Sequence, residues 1–146
     1  MTGTDDGFDE EAQRGFETGA SVDAYTDLYR LVLVCYDYRC ALTGARFPKP
    51  LTLLHADLEV AAIQPREQGG PLAIANYLPM LITLVPAFRD GLITIEDDYR
   101  IIVPHSELLD RSTLTSLRTS LALPEDPLFR PGVQFLAHHR RYALGR

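Results

Sequence analysis

The stretch LEVAAIQPREQGGP, residues 58–71, limits the fold more than any other part of the chain. Its first half continues the apolar run LTLLHAD, and together these leucine- and valine-rich segments predict an extended strand over residues 51–63. The second half contains prolines and glycines, which favour turns over regular structure. We therefore predict a strand that gives way to a loop near Ile63.

The segment before this strand has the spacing of an amphipathic helix. Its apolar residues recur every three or four positions, which places them on one helical face: Tyr25, Leu28, Tyr29, Val32 and Tyr36. Ser21 is a suitable N-cap, and Asp23 favours the first turn electrostatically. The following CALTGARF predicts a short strand that ends in a turn at Gly44.

After the loop, Asn76 is placed to cap a helix that extends to about Arg89. Pro79 falls in the first turn of this predicted helix, where a missing N–H is tolerated. Pro86 lies well inside it, where proline costs about 3 kcal/mol. We expect the helix to kink or end there.

The C-terminal half predicts a hairpin followed by helices. GLITIEDDYRIIVP places two β-branched runs around a turn at Glu96, Asp97 and Asp98. SELLDRSTLTSLRTSLAL is amphipathic and predicts partial helix, and LPEDPLFRPG predicts a loop. VQFLAHHRRYAL predicts a closing helix with Phe135, His139 and Tyr142 near one face.

Length and composition indicate one cytoplasmic domain. The chain has 146 residues, a length that ordinarily forms a single core. No run approaches the roughly 18 apolar residues of a membrane span, and the N-terminus lacks the layout of a signal peptide. Cys35 and Cys40 are expected to be buried free thiols, because two cysteines without a secretion signal are more often free than bridged and a zinc site of four cysteines is excluded by their number.

The negative charge is concentrated at the N-terminus. Residues 1–24 contain seven carboxylates and one arginine, whereas the rest of the chain is nearly balanced. We expect residues 1–24 to form a disordered acidic tail and residues 25–146 to form the domain. The alternative is that the tail mimics DNA or docks a basic partner.

Five segments taken in order resemble a bacterial, restriction-type branch of the HNH endonuclease family: YDYRCALTG, LEVAAIQPREQGGP, IANYLPM, FRDGLITIEDDYRIIVP and FLAHHRRY. The resemblance implies an α+β fold with an HNH-like ββα core, preceded by an N-terminal helix and followed by a β-hairpin and C-terminal helices. It also implies a strand-end histidine as general base, a loop-steadying asparagine and a helix histidine that binds a divalent metal.

The chain departs from that pattern at the positions that carry the chemistry. The base position is Ala62 and the helix-histidine position is Val85, which Pro86 follows; the family's aspartate after phenylalanine is Arg89. Only the asparagine, Asn76, is kept. Hydrolysis of a phosphodiester needs a base and a cation that offsets the developing charge. We therefore expect a degenerate nuclease fold without catalytic residues or a bound metal.

A relocated site would need other residues. His55 lies seven positions before Ala62, so in a regular strand it points to the opposite face, and Asp57 and Glu59 share its parity. Asp90 lies near the expected helix end, where a carboxylate can bind a cation. His138 and His139 are expected to be structural, and His105 to be exposed.

Two small basic clusters are the candidates for nucleic-acid contact. They consist of Arg39, Arg46 and Lys49 near the first turn, and of Arg140 and Arg141 near the C-terminus. Binding to phosphates usually needs several cations on one face. The alternative for both clusters is ordinary solvated surface.

Three functional hypotheses remain open from the sequence. The first is a non-catalytic HNH-like module that binds DNA or a protein partner, including a second copy through Leu81, Ile82, Leu84 and Val85 if these are exposed rather than core. The second is an active endonuclease with a relocated site that uses Mg²⁺, Mn²⁺, Ni²⁺ or Zn²⁺. The third is a regulator that acts through its acidic tail.

Overall fold

The computed structural model describes residues 24–52 and 54–144. Within them the fold is mixed α and β, with two small antiparallel sheets between helices. This confirms the predicted α+β class. The expected N-cap Ser21 and most of the acidic tail lie outside the described residues.

The first helix, α1, covers residues 24–35 and lies over the central sheet. The predicted apolar face is confirmed, since Leu28, Tyr29 and Val32 are buried. Two tyrosines one turn apart also bond to the edge of the first strand: the hydroxyl of Tyr25 donates to Val60 O at 3.0 Å, and that of Tyr29 to Leu58 O at 3.5 Å. These bonds satisfy carbonyls that the strand edge would otherwise leave unpaired.

The central sheet pairs two strands in antiparallel fashion. Strand β1 is Leu58–Ala62 and β2 is Tyr77–Leu81, with Leu58 opposite Leu81 and Ala62 opposite Tyr77. Only the second half of the predicted strand over residues 51–63 is therefore a strand. The remainder, residues 51–57, lacks regular structure among the positions described.

The helix predicted over residues 76–89 is wrong in its first half. Residues 77–81 form β2, and Pro79 pairs with Val60 in the sheet instead of occupying a helical first turn. Its carbonyl accepts a bond from Ala41 N at 2.8 Å, so both sides of β2 have partners. Long-range pairing here outweighs the local helix preference.

The helix itself, α2, is short and begins where the sequence predicted an interruption. It covers Val85–Arg89, with Pro86 in its first turn. Proline is tolerated there because the first N–H groups of a helix have no intrahelical partner. The structure therefore has two strands before this helix, but the second of them, β2, lies where the sequence predicted the first half of the helix.

The C-terminal half agrees with the prediction in outline. The hairpin has strands β3, Thr94–Ile95, and β4, Ile101–Ile102. Helix α3 is Arg111–Ser116 and helix α4 is Val133–Leu144. The short strand predicted in CALTGARF is reduced to an isolated bridge between Arg39 and Arg46.

Helix α4 is fixed by close contacts with the turn after α2. Gly91 has φ +79°, and a Cβ atom there would overlap Ala143 of α4. Phe135 and Leu136 of α4 are buried in the main core. The helix therefore packs against β3 and the turn after α2, and its residues His138, His139 and Tyr142 form one wall of a cleft.

Both cysteines are free thiols, as expected. Cys40 is fully buried, and its Sγ accepts a bond from Leu81 N at 3.4 Å; Cys35 is partly buried. None of the described helices has the length and apolar character needed to cross a membrane.

Candidate functional site

A cleft of about 800 Å³ lies between β1, the loop 63–76, the end of α2 and helix α4. Its floor is apolar and includes Val60, Ala62, Ile63, Leu72 and Phe88. Charged and polar side chains surround this floor. An apolar floor with a few polar groups is the usual composition of a ligand site.

Ala62 and Val85, the positions that the HNH resemblance assigns to the two histidines, are not equivalent in the structure. Ala62 ends β1 and lines the cleft. Val85 is 4% exposed, packs in the main core and does not line the cleft. The two positions therefore do not face a common cleft in which two catalytic side chains could act together.

Asn76 holds the loop that borders the cleft. Its side chain is fully buried. Its Oδ1 accepts from Gln64 N at 2.9 Å, and its Nδ2 donates to Gln64 O at 2.9 Å and to Pro71 O at 3.0 Å. A Cβ atom at Gly70 would collide with Gln64 O, so the loop also requires glycine there. These contacts tie both ends of the loop together, which is the loop-steadying arrangement that the resemblance implies for this asparagine.

An ion pair lies beside the floor. Arg89 donates to the Glu59 carboxylate at 3.0 Å, joining the end of α2 to β1. The arginine side chain is 61% exposed and the glutamate 35%. Burial raises the pKa of the adjacent Tyr25 hydroxyl, and the negative charge of Glu59 raises it further. The Arg89 guanidinium, a hydrogen-bond donor, and the Glu59 carboxylate, an acceptor, therefore lie side by side at the cleft.

Two histidines of α4 form the opposite wall. His139 is buried; it stacks on Phe88 with ring centroids 4.1 Å apart, and its Nε2 lies 2.8 Å from Phe88 O. Burial lowers the pKa of His139, and the neighbouring His138 and Arg140 lower it further against the effect of the Phe88 bond. His138 is partly exposed, with Nε2 2.8 Å from Gln68 Oε1.

His139 is therefore a neutral, packed side chain, as the sequence predicted for a structural histidine. Since an imidazole that is neutral has one N–H, the bond to the Phe88 carbonyl places that hydrogen on Nε2. Its Nδ1 is buried and has no hydrogen-bond partner among the described residues.

The two residues considered for a relocated site, His55 and Asp90, are in different surroundings. Asp90 lines the cleft, whereas His55 does not. The Nδ1 of His55 accepts from Asp57 N at 3.0 Å and from Leu58 N at 3.2 Å, so it caps the start of β1. The parity argument for His55 is wrong in its premise, because residues 54–57 are not a strand.

Several of the predicted basic contacts are engaged within the fold. Arg39 donates to Tyr36 O and Leu123 O, and Arg140 donates to Ile95 O and pairs with Asp97 at 2.8 Å. Arg46 pairs with Asp37 at 2.8 Å but is 62% exposed. Lys49 and Arg141 are exposed.

The sequence did not single out most of the cleft's polar residues. Glu59, which the parity argument placed away from the face of Ala62, lines the same cleft, and Gln68, Tyr25 and Tyr142 come from three other segments. These residues have in common only that they line the same cleft as Ala62 in the folded chain. No spacing in the sequence indicates that they meet there. The apolar patch considered for self-association is largely core, because Leu84 and Val85 are buried and Leu81 is partly buried.

Comparison with known proteins identifies the fold. No protein-family model and no curated protein matches the chain by sequence. Among solved structures, it is similar to the modification-dependent TagI restriction endonuclease, with a TM-score of 0.55 and 19% identity. The match covers 80% of this chain and 37% of that one, so the chain spans well under half of its structural neighbour. The chain has a nuclease-like α+β fold.

Proposed function

We propose that this chain is an HNH endonuclease-like module that binds DNA without hydrolysing it. The observation that carries the proposal is the composition of the cleft. Ala62 occupies the position at which the HNH resemblance places the general base, and two of the charged side chains in the lining, Glu59 and Arg89, are paired with each other at 3.0 Å.

An alanine methyl group cannot accept a proton from water. Loss of a general base alone lowers a hydrolytic rate by about 10²–10⁴-fold. The resemblance places the metal-binding histidine at Val85, whose side chain is buried outside the cleft, so this position supplies none of the electrostatic stabilisation on which phosphoryl chemistry depends. Each loss would have to be replaced by another side chain at the same cleft.

The donor set does not fit a divalent metal. Among residues 24–52 and 54–144, no three His, Cys, Asp or Glu side chains come close enough to hold one. The Glu59 carboxylate is bonded to Arg89, and the buried Nδ1 of His139 does not reach the cleft surface. We therefore derive no catalytic step through a metal.

DNA is the ligand that the fold favours. The likeness to a restriction endonuclease is a likeness of scaffold, so DNA enters the proposal as an analogy with that fold. Exposed cations at Lys49, Arg66 and Arg141 are available for phosphate contact. The balanced charge of residues 25–146 implies weak, salt-sensitive affinity.

A protein partner is the second candidate, and one observation favours it. The apolar side chains Leu31, Val34, Leu51 and Leu54 are each more than half exposed. They lie on α1 and in the segment that follows the first turn. Val34 and Leu51 line one shallow groove, and exposed apolar patches are common at protein interfaces.

An active enzyme with a relocated site is the remaining alternative. Its support is that Asp90 and His138 line the same cleft as Ala62. A carboxylate and an exposed imidazole are chemically able to bind a metal or move a proton. His55, by contrast, lies outside this cleft.

Plasmid cleavage tests the proposal. The purified chain is incubated with supercoiled plasmid and Mg²⁺, Mn²⁺, Ni²⁺ or Zn²⁺, beside Asp90→Ala and His55→Ala. Asp27→Ala and His105→Ala are the matched controls, because both residues are exposed and lie outside the cleft. We expect no cleavage with any metal by a chain whose circular dichroism shows it folded.

Metal-dependent cutting that disappears in Asp90→Ala, but not in Asp27→Ala, would overturn the proposal and establish the relocated site. Binding is measured separately by fluorescence anisotropy with labelled DNA at 50 and 200 mM NaCl. Absence of binding to any DNA would leave the protein-partner alternative.

A further inference from the structure

The cleft combines aromatic walls with an apolar floor. On one side, the rings of Tyr25 and Tyr77 meet edge to face with centroids 6.2 Å apart. On the other, the rings of His138 and Tyr142 are nearly parallel, at 11° and 6.5 Å. Aromatic side chains around a floor of aliphatic carbon favour a flat, largely apolar ligand.

The polar groups at the cleft are suited to a heterocycle with both donors and acceptors. The carboxylate of Glu59 accepts hydrogen bonds and the guanidinium of Arg89 donates them, 3.0 Å apart. The side chain of Gln68, also in the lining, supplies amide N–H donors, while its Oε1 lies 2.8 Å from His138 Nε2. The edge of a nucleobase presents the same alternation of donors and acceptors.

The charge of the lining argues against a phosphate at the floor. The charged side chains are Arg66 and Arg89 against Glu59, Glu67 and Asp90. Because Arg89 is paired with Glu59, the lining offers little net attraction to an anion. A neutral ring avoids the repulsion that a phosphodiester would meet there.

We propose that this cleft binds a single nucleobase, stacked against Tyr142 and hydrogen-bonded by Glu59 and Arg89. The inference rests on the proposed function and deepens it: the preferred DNA is single-stranded, because a paired base cannot enter a cleft of this kind without leaving its stack. A free nucleoside has the same chemistry and is the other source of the ligand.

The experiment measures binding of a fluorescein-labelled 15-nucleotide strand of mixed sequence, its duplex, and unlabelled nucleosides as competitors. We expect the single strand to bind more tightly than the duplex. Tyr142→Ala is expected to weaken single-strand binding about tenfold, from the value of one base–aromatic stack. Tyr142→Phe keeps the ring and is expected to bind like the unmodified chain.

Matched variants separate the cleft from general surface effects. Leu128→Ala removes another exposed apolar side chain, 82% exposed and outside the cleft. Glu59→Gln keeps size but loses the charge-assisted acceptor, and Glu107→Gln is its exposed counterpart. Only Tyr142→Ala and Glu59→Gln are expected to reduce binding.

Equal affinity for single strand and duplex, with no effect of Tyr142→Ala, would overturn the base pocket while leaving a non-cutting DNA-binding module intact. Binding to neither the strand nor a nucleoside would also overturn it. Competition by nucleosides at concentrations near the strand's own Kd would identify the free nucleoside as the ligand. Plasmid cleavage is a separate readout and bears only on the proposed function.

Discussion

At the scale of single residues, Asn76 has the largest structural role near the cleft. Its amide bonds to Gln64 N, Gln64 O and Pro71 O, all across the loop 63–76. The side chain has no exposure to solvent. Removing it leaves partly buried backbone groups without these partners, and part of their desolvation is not recovered.

Asn76→Ala is expected to lower the free energy of unfolding by about 2–4 kcal/mol, because several buried hydrogen bonds are lost together. Gln64→Ala is the control, since the side chain of Gln64 makes one bond, to Gln68 O, and is only partly buried. Urea unfolding followed by circular dichroism measures both. A loss below about 1 kcal/mol for Asn76→Ala would contradict the loop-closing role.

His139 makes stability depend on pH. Its pKa is lowered by burial in the folded chain, whereas in the unfolded chain it is near the ordinary value of about 6.5. Below that pH the unfolded imidazole takes up a proton that the folded one does not. The contribution is therefore complete above about pH 6.5 and is lost as the pH falls toward the folded pKa.

Measured between pH 7.5 and 5.5, the free energy of unfolding of the unmodified chain is expected to fall more than that of His139→Phe. The difference is at most about 1.4 kcal/mol per pH unit for one proton. His105→Phe, at an exposed position, should behave like the unmodified chain. Identical pH profiles for all three would show that His139 takes up its proton equally in both states.

At the scale of elements, the helices and strands that were predicted correctly are those with a local apolar pattern in the sequence. Helix α1, the hairpin and α4 have repeating apolar faces, and all three are present. The segment 77–81 has no such pattern. It is a strand because β1 and Ala41 bond to its two sides, and such distant partners are not visible in a local window.

The same limit applies to the candidate site. Ala62 and Asn76 were found because a family pattern marks their positions, and both border the cleft or its loop. Glu59, Gln68 and Tyr142 carry no signal of this kind. Their proximity is produced by the docking of α4 on the turn at Gly91, a contact between residues far apart in the chain.

This docking gives a prediction for α4. Gly91 and Gly69 both have positive φ, at +79° and +87°, but a Cβ at Gly91 would overlap Ala143 while one at Gly69 has only Gln64 Nε2 at 3.6 Å. Gly69→Ala is expected to cost about 1 kcal/mol, from backbone strain alone. Gly91→Ala should cost roughly 1–3 kcal/mol more, from overpacking. Equal losses in the free energy of urea unfolding would show that α4 shifts away from the added methyl group without destabilising the fold.

At the scale of the whole molecule, charge is distributed unevenly. Seven carboxylates and one arginine lie in residues 1–23, and they account for the whole formal net charge of −6, because acidic and basic residues are equal in number in the remainder. DNA is a dense polyanion, so a segment of this charge opposes its approach through long-range repulsion. Salt at physiological concentration screens that repulsion over a Debye length of about 8 Å.

Deletion of residues 2–23 is therefore expected to tighten the binding of single-stranded DNA about three- to tenfold at 50 mM NaCl, with little difference from the full chain at 300 mM. Fluorescence anisotropy with the same labelled strand measures this. A variant with its seven carboxylates changed to Asn or Gln is the matched control, because it keeps the length and removes the charge. If both changes leave affinity unaltered at low salt, repulsion by the segment is disproved. If the deletion instead abolishes binding while the neutral variant keeps it, the segment contributes contacts of its own to the DNA. That outcome would also contradict the DNA-mimic hypothesis, because mimicry requires the negative charge.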